Sequence, residues 1–574
     1  MPVNHARGES AGANEEEAAA ALKPRDFVAG GLLAVLFLGA RLRQLDASCL
    51  WFDEIFGVHA ARHELGALLD FVAVDVIHPP LFYLLLKSWI ALGGSEGVWW
   101  LRLFPVLTAT AAIVPVLLLC RELRLRPTVG QLALLLMCVN GFLIQYAREV
   151  RMYSLLFLLA ACSLWLFARF AQSDNAPQRR NGLALFAVNL ALVYTHYFGW
   201  LLVGHELIFL VVWQRRKVKL FALMLAALVV CYSPWVLLLW RAAGGGGGAG
   251  KELVAQNIGW VVAPRLPDII QPYLLLHEPF RFRRNTHEPL VLSVNTWLAL
   301  ILFVPPFVAL GWRWLRPRRA EAQKLEAETA QTAQTGREAG RFNFSRNFAL
   351  TFLIFFSTVP VLVAFLLARV LPHSIWGTRH LIIIAPVYLL LAATALVSLR
   401  PFWLATTIKL LLACWLTLAA MLWLTRRDDT PPVWCAWETL ARQASRAETT
   451  LQSDGTQDEV KIYAFEDLAA YHLWYALRPS PLEQRFSIIV IKDYPGVVED
   501  KAFFLPRGFP EVTTRGTNEP PREEHFWVAF RVASGNAMEH PYLKMLSAQG
   551  YEMKEQFAVA ASGQKAFLVS VRRR

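Results

Sequence analysis

Long apolar runs separated by short polar loops set the pattern of this chain. They fall at roughly 27–46, 98–119, 128–146, 151–170, 181–197, 198–213, 218–240, 290–311, 347–371, 380–398 and 402–424, and a spanning helix needs about 20 such residues. The pattern predicts a polytopic α-helical membrane protein with about 11 transmembrane helices. A single helix from Leu183 to Trp213 is too long to span comfortably, so the pattern is split at Tyr194–Gly199. The polar, Ala-rich residues 1–26 read as a disordered cytoplasmic lead. The first apolar run lacks a small-residue cleavage site and reads as a retained helix.

The loops carry further structure. In the first, residues 47–97, Val58, Ala61, Leu65, Leu68, Leu69 and Val72 recur at helical spacing, which predicts an interfacial helix over Gly57–Val74. The apolar Leu81–Leu92 stretch carries Lys87 and is too short to cross, so it reads as a second interfacial helix. The five glycines Gly244–Gly248 make residues 241–289 a flexible external loop. Residues 312–346 read as a basic cytoplasmic connector. Residues 27–424 thus form one membrane domain.

After Thr425 the composition becomes that of a soluble domain. Strands are predicted at Val460–Phe465, Phe486–Ile491, His525–Val532, Gln556–Ala561 and Ala566–Val571, with helices at Trp437–Leu451, Leu468–Leu477 and Pro541–Gln549. Alternating strands and helices make 425–574 a small α/β domain. It contains no Gly-rich phosphate loop and no nucleophile elbow.

Composition agrees. The chain is 56% hydrophobic and 18% charged, against about 25% charged for a soluble domain. The net charge of +13 sits mostly in short loops between apolar runs, where it orients helices and meets anionic lipid rather than nucleic acid. Those loops put the N-terminus in the cytoplasm and the C-terminal domain outside, at a cell inner (plasma) membrane. Arg41, Arg43, Arg148, Arg151, Arg281, Arg283 and Arg284 fall on the external side instead. Either a span is miscounted, or external arginines bind an anion such as a lipid phosphate. The seven cysteines show no metal-ligand spacing, and Cys49 with Cys435 is an external pair for which a disulfide is one option.

Asp53-Glu54, just after the first apolar run, is the leading chemical candidate. A carboxylate at an apolar boundary is desolvated and becomes a better base near neutral pH. The alternative is a solvated pair capping the next helix. His78-Pro79-Pro80 forms a rigid corner, and Asp53, Glu54, Asp75 and His78 are ligand types suited to a divalent cation, Mg or Mn. A plain turn serves equally well there. Arg148, Arg151 and Tyr153 lie together at an external junction, where arginine forks suit phosphate; interfacial anchoring is the alternative. His196 and Arg379 reach the same external level.

Taken in order, Asp-Glu in the first loop, His78-Pro79-Pro80-Leu81, the Arg148–Leu155 stretch, Thr195–Gly199 and Arg379-His380-Leu381 resemble bacterial GT-C glycosyltransferases. The likeness is to the protein O-mannosyltransferase-like set of glycosyltransferase family 39, related to the lipid A aminoarabinose transferase. It covers roughly residues 27–400 and leaves out the C-terminal domain. The resemblance implies inverting transfer of a sugar from a polyprenyl-phosphate donor to an extracytoplasmic acceptor. Asp53 would be the base or a metal ligand, with Glu54 and His78 in its pocket. Arg148 or Arg151, and Arg379, would bind the donor phosphate. The family often has Tyr where this chain has His380. Two rival readings are a lipid or sugar transporter or flippase, and a membrane-anchored binding protein working through its external domain.

Overall fold

The computed structural model describes residues 24–173, 177–244, 261–280, 294–315, 344–425, 432–451, 459–478, 485–497, 499, 504–506, 509, 511–516, 521–533, 535–561 and 563–574. The amino-terminal lead, the glycine run beyond Gly244, Arg281, Arg283, Arg284 and most of the 312–346 connector lie outside the described residues. The chain divides into two compact units.

The helical unit comprises Met1–Arg43, Ile77–Phe82 and Arg102–Arg426. Each predicted apolar run is helical over most of its length. Among the described residues, six helices are long and apolar enough to cross a membrane: Val98–Glu122, Tyr153–Gln172, Arg215–Ala242, Phe348–Val370, His380–Ser398 and Phe402–Thr425. Val28–Leu42, Pro127–Val139, Phe198–Trp213 and Thr296–Trp312 are apolar but shorter.

The helix ends explain several charges. The run predicted at 128–146 breaks at Asn140 into Pro127–Val139 and Gly141–Ala147. Asn140 caps the second helix, accepting the Leu143 N–H at 2.8 Å, and its amide donates to the Leu275 carbonyl at 3.0 Å. Arg41 is buried and donates to the carbonyls of Met137 and Phe37, both at 3.0 Å. It therefore closes a helix end rather than holding a lipid phosphate, which corrects the anion-binding option at this position. Arg43 donates to the Leu424 carbonyl at 3.0 Å and covers the Trp423 ring. Lys217 gives its ammonium to the carbonyls of Phe170, Ala171 and Ser173 at 2.7, 2.9 and 2.6 Å, capping the Tyr153–Gln172 helix.

Deeper in the helices, Ser163 Oγ lies 2.6 Å from Glu206 Oε1 and 2.7 Å from Asn189 Oδ1, and Asn189 Nδ2 donates to Glu206 Oε2 at 2.7 Å. Counting hydrogens, this ring closes only with a proton on the carboxyl, because the serine has one hydrogen for two acceptors. Glu206 is thus spent on joining three helices.

The second unit comprises Gln44–Val76, Tyr83–Leu101 and Arg427–Arg574. The first loop, assigned from sequence to the membrane domain, shares this compact unit with the C-terminal sheet. Six strands are present among the described residues: β1 Val460–Ala464, β2 Phe486–Ile491, β3 Val512–Arg515, β4 His525–Val532, β5 Tyr551–Ala561 and β6 Gln564–Arg573, in the order β3-β2-β1-β4-β6-β5. β3, β2, β1 and β4 run parallel, while β6 and β5 are antiparallel additions.

Period-2 alternation separates two cores. Ile462, Ala464, Ile488, Val490 and Trp527 pack under the Val433–Leu451 and Asp467–Leu477 helices, around Trp437 and Leu440. Tyr463, Phe465, Ile489, Phe526 and Val528 face the Pro541–Ala548 helix through Tyr542 and Leu546. The edge where β1 meets β4 is the place where such sheets take ligands. Here Arg531 grips both oxygens of Glu466, at 2.7 and 2.8 Å, and fills it.

The first loop is built into this unit by covalent and polar contacts. Cys49 and Cys435 form a disulfide with Cα atoms 5.4 Å apart. The helix predicted over Gly57–Val74 is instead two, Phe52–Arg62 and Leu65–Asp75. The reason is Lys87 on the Leu81–Gly93 helix, whose ammonium takes the carbonyl of His63 at 2.8 Å and so replaces an intrahelical partner. Trp89 and Trp100 stack 4.3 Å apart and exchange indole-to-carbonyl hydrogen bonds, locking the turn that follows.

Three histidines of this unit are buried and neutral. Burial pushes His59 down to about 3, with His63, Arg478 and Arg62 adding to it, and holds His472 and His540 at about 4. Glu511 lies 3.9 Å from His59, yet burial and the nearby positive groups keep the ring neutral, so this contact is no ion pair. In the unfolded chain these rings bind a proton near pH 6.5. Between about pH 6.5 and 4 the unfolded state therefore holds more protons, and stability falls as pH falls. The His540 ring sits between Phe465 and Phe530, at 4.8 and 4.1 Å. A thermal melt followed by tryptophan fluorescence should lose midpoint from pH 6.5 to 4.5, and His540→Phe should reduce that loss without lowering the midpoint at pH 7.5.

Candidate functional site in the helical unit

The turns that join the apolar helices gather the unit's polar side chains. Gly141–Ala147 ends at Arg148, and the chain makes a tight turn in which Arg151 N–H reaches the Glu149 carbonyl at 2.7 Å. The Tyr153–Gln172 helix then begins, with Ser154 Oγ donating to the Tyr146 carbonyl at 3.0 Å. Arg151 and Tyr153 are thereby held, both buried, at the N-terminus of a long helix, whose dipole favours negative charge. Arg148 is half-buried at the preceding helix end.

The second contribution comes from the turn between Pro177–Thr195 and Phe198–Trp213. His196 is the residue at the break, and its Nδ1 accepts the Phe198 N–H at 3.1 Å. Gly199 is required here. A Cβ at this position would lie 2.8 Å from the Leu192 carbonyl oxygen, closer than side chains approach backbone.

The third comes from the turn before the late helix Ala385–Ser398, where Arg379 and His380 open a 3-10 turn. The fourth is the His78 corner, which belongs to the same unit.

These four segments converge. The His196 ring lies 5.2 Å from His78, 4.8 Å from His380 and 6.4 Å from Tyr153, centre to centre. Arg151 Nη2 reaches His78 Nδ1 at 3.5 Å, and the Arg379 guanidinium lies 5.7 Å from the centre of the Tyr153 ring. Burial holds His78 well below the usual histidine range, and Arg151, His196, His380 and Arg379 act in the same direction. The site is thus two guanidinium cations among imidazole rings, that of His78 held neutral. Such a group suits an anion with several acceptor oxygens, phosphate above all.

His78, Arg151, Tyr153, His196 and Arg379, separately predicted, are brought together. His380 stands in the sequence within the Arg379-His380-Leu381 motif and as a departure from a family pattern, and its spacing from the other residues gives no cue to this convergence.

Asp53 and Glu54 belong to the sheet-bearing unit. Both lie in the first turn of Phe52–Arg62. Glu54 is buried and its Oε2 accepts the Trp51 N–H at 3.0 Å, so it closes the helix start. Asp53 is half-buried. Among the described residues, no group of three or more His, Cys, Asp and Glu side chains could hold a metal ion.

The Gly199 contact yields a test. Gly199→Ala forces two helices apart at the His196 turn and should cost about 1–3 kcal/mol. It should lower the melting midpoint of the purified protein, while Gly204→Ala, where nothing lies within 4 Å, should leave it unchanged.

Compared by sequence, the chain matches no family description and no curated protein. Among solved structures it is similar to ArnT from Cupriavidus metallidurans bound to undecaprenyl phosphate, at 14% identity and a TM-score of 0.53, over 94% of this chain and 97% of that one. The apo ArnT structure from the same organism is similar over the same shares, at 16% identity and a TM-score of 0.50. The apo oligosaccharyltransferase of Archaeoglobus fulgidus covers 80% of this chain and 64% of its own, at 14% identity and a TM-score of 0.46. The first two likenesses run nearly the full length of both chains, so the architecture of apolar helices followed by an α/β domain is the GT-C fold.

Proposed function

We propose that this chain is a membrane glycosyltransferase that moves a sugar from a polyprenyl-phosphate donor to an extracytoplasmic acceptor. The observation that carries the reading is the convergence of Arg151, Arg379, Tyr153 and the rings of His78, His196 and His380 at the turns of apolar helices. A phosphate headgroup on an apolar tail matches that setting in both its parts. The GT-C fold supports it, as does the undecaprenyl phosphate bound in the similar ArnT structure.

In the proposed reaction Asp53 takes the proton of the acceptor hydroxyl. The resulting oxygen attacks the anomeric carbon while the bond from that carbon to the phosphate oxygen breaks. The electron pair leaves with the phosphate, whose charge rises by one. Arg151 and Arg379 carry that added charge, which makes their interaction stronger in the transition state than before it. A single displacement inverts the sugar. Glu54, fixed on the Trp51 N–H, holds the helix start that presents Asp53.

The disulfide between Cys49 and Cys435 supports an oxidising, extracytoplasmic setting for the sheet-bearing unit, with the N-terminus cytoplasmic and the protein in the inner membrane. A transporter needs ionisable groups free to act within the bilayer. Glu206 is instead tied to Ser163 and Asn189.

Transfer from a polyprenyl-phosphate sugar should fall by about 10²–10⁴-fold in Asp53→Asn, the span of general-base contributions, with membrane insertion and melting midpoint retained. Arg379→Ala should weaken binding of polyprenyl phosphate measured by native mass spectrometry, and Arg379→Lys should restore only part of it. Full activity in Asp53→Asn would remove the base from the scheme.

A further inference from the structure

The turn at Tyr194–Gly199 holds a hydrogen-bond donor that the scheme above leaves unused. His196 is only 3% exposed. Its Nδ1 accepts the backbone N–H of Phe198 at 3.1 Å. A ring nitrogen that accepts carries no hydrogen, so the neutral ring has its proton on Nε2. The imidazolium form is excluded by the same contact, because it would set an Nδ1 hydrogen against the Phe198 N–H. The backbone therefore fixes both the charge and the tautomer of this histidine.

The Nε2–H so defined has no hydrogen-bond partner among the described residues. Buried donors are almost always satisfied in native proteins, by protein groups, water or a ligand, so this one is open to an acceptor brought from outside the chain. The ring next to it, His380 at 4.8 Å, also has a buried nitrogen, Nδ1, with no partner among the described residues. Gly377 lets that second ring sit close: a Cβ there would lie 2.7 Å from His380 Nδ1. Two unsatisfied imidazoles thus lie beside Tyr153, whose ring is the one under the Arg379 guanidinium. The His196 Nε2–H is the donor this pocket leaves over among the described residues.

We propose that His196 is a phosphate-binding residue, donating its Nε2–H to an oxygen of the donor's phosphate as a fixed neutral dipole and never as a proton carrier. This deepens the polyprenyl-phosphate reading and rests on it. Arginines supply charge, which is long-ranged and weakly directional. A single N–H of fixed direction adds what they lack, a marker for one particular oxygen of the phosphate.

The choice of variant separates this role from support of the turn. His196→Asn keeps a side-chain oxygen to accept the Phe198 N–H and removes the Nε2 donor. His196→Phe removes both. Binding of polyprenyl phosphate, of the uncharged polyprenol and of inorganic phosphate is measured on the purified full chain by native mass spectrometry, with melting midpoints taken in parallel.

His196→Asn should keep its midpoint and bind polyprenyl phosphate about 10- to 100-fold more weakly, the range for one hydrogen bond to a charged acceptor. Its polyprenol binding should not change. The ratio of wild-type to variant affinity should be flat from pH 6 to 8. Competition by inorganic phosphate alone, with no contribution from the polyprenyl chain, would assign the donor to a free anion instead and overturn the lipid assignment. Unchanged affinity in His196→Asn, or a deficit that appears only at the acid end, overturns the inference while leaving the glycosyltransferase reading intact. Failure of the wild-type chain to bind polyprenyl phosphate overturns both. If His196→Phe loses its midpoint and His196→Asn loses neither midpoint nor affinity, the residue is structural and the inference is wrong.

Discussion

A helix that ends among apolar neighbours leaves backbone groups without partners, and water is not there to take them. Much of this chain's polar content answers that one constraint. Arg41 closes the end of Pro127–Val139, Lys217 closes the end of Tyr153–Gln172, and Asn140 opens Gly141–Ala147. His196 belongs to the same set through Phe198. The difference is what remains after the backbone is served. Lys217 spends its ammonium on three carbonyls, whereas His196 spends one nitrogen and keeps the other. The candidate site lies where helix breaks leave side-chain donors over.

Legibility in the sequence followed the same division. Apolar runs were readable because membrane length is a property of consecutive residues, and the split at Tyr194–Gly199 followed from length alone. The break at Asn140 was hidden because the groups that close it, the Arg41 guanidinium on the Met137 carbonyl and the Leu275 carbonyl on the Asn140 amide, are distant in sequence. Likewise the break at His63 depends on Lys87, 24 residues on. Strand β3 escaped because Val512-Thr-Thr-Arg515 buries only Val512 and has no apolar alternation to see. The strands β1, β2 and β4, buried on both faces, read clearly as short apolar runs.

The site divides similarly. Arg151, Tyr153, His196 and Arg379 were each visible as polar residues at the edge of an apolar run. Their meeting was visible only through a resemblance in motif order. His380 shows the limit: a departure from a family pattern marks a position but does not say what it touches, and only the fold brings its ring against His196 and Phe198. For Glu54, the capping alternative raised by its sequence position describes the contact it makes with Trp51.

The central claim is that a lipid-linked phosphate is the leaving group. Its most direct measurement is to incubate the purified protein with a panel of polyprenyl-phosphate sugars and an acceptor extract, and to detect released polyprenyl phosphate by mass spectrometry. The account predicts release of the monophosphate from at least one member, dependent on acceptor and accompanied by an inverted sugar linkage. Sugar lipid carried across a vesicle membrane intact, with no monophosphate released from any member, would contradict it.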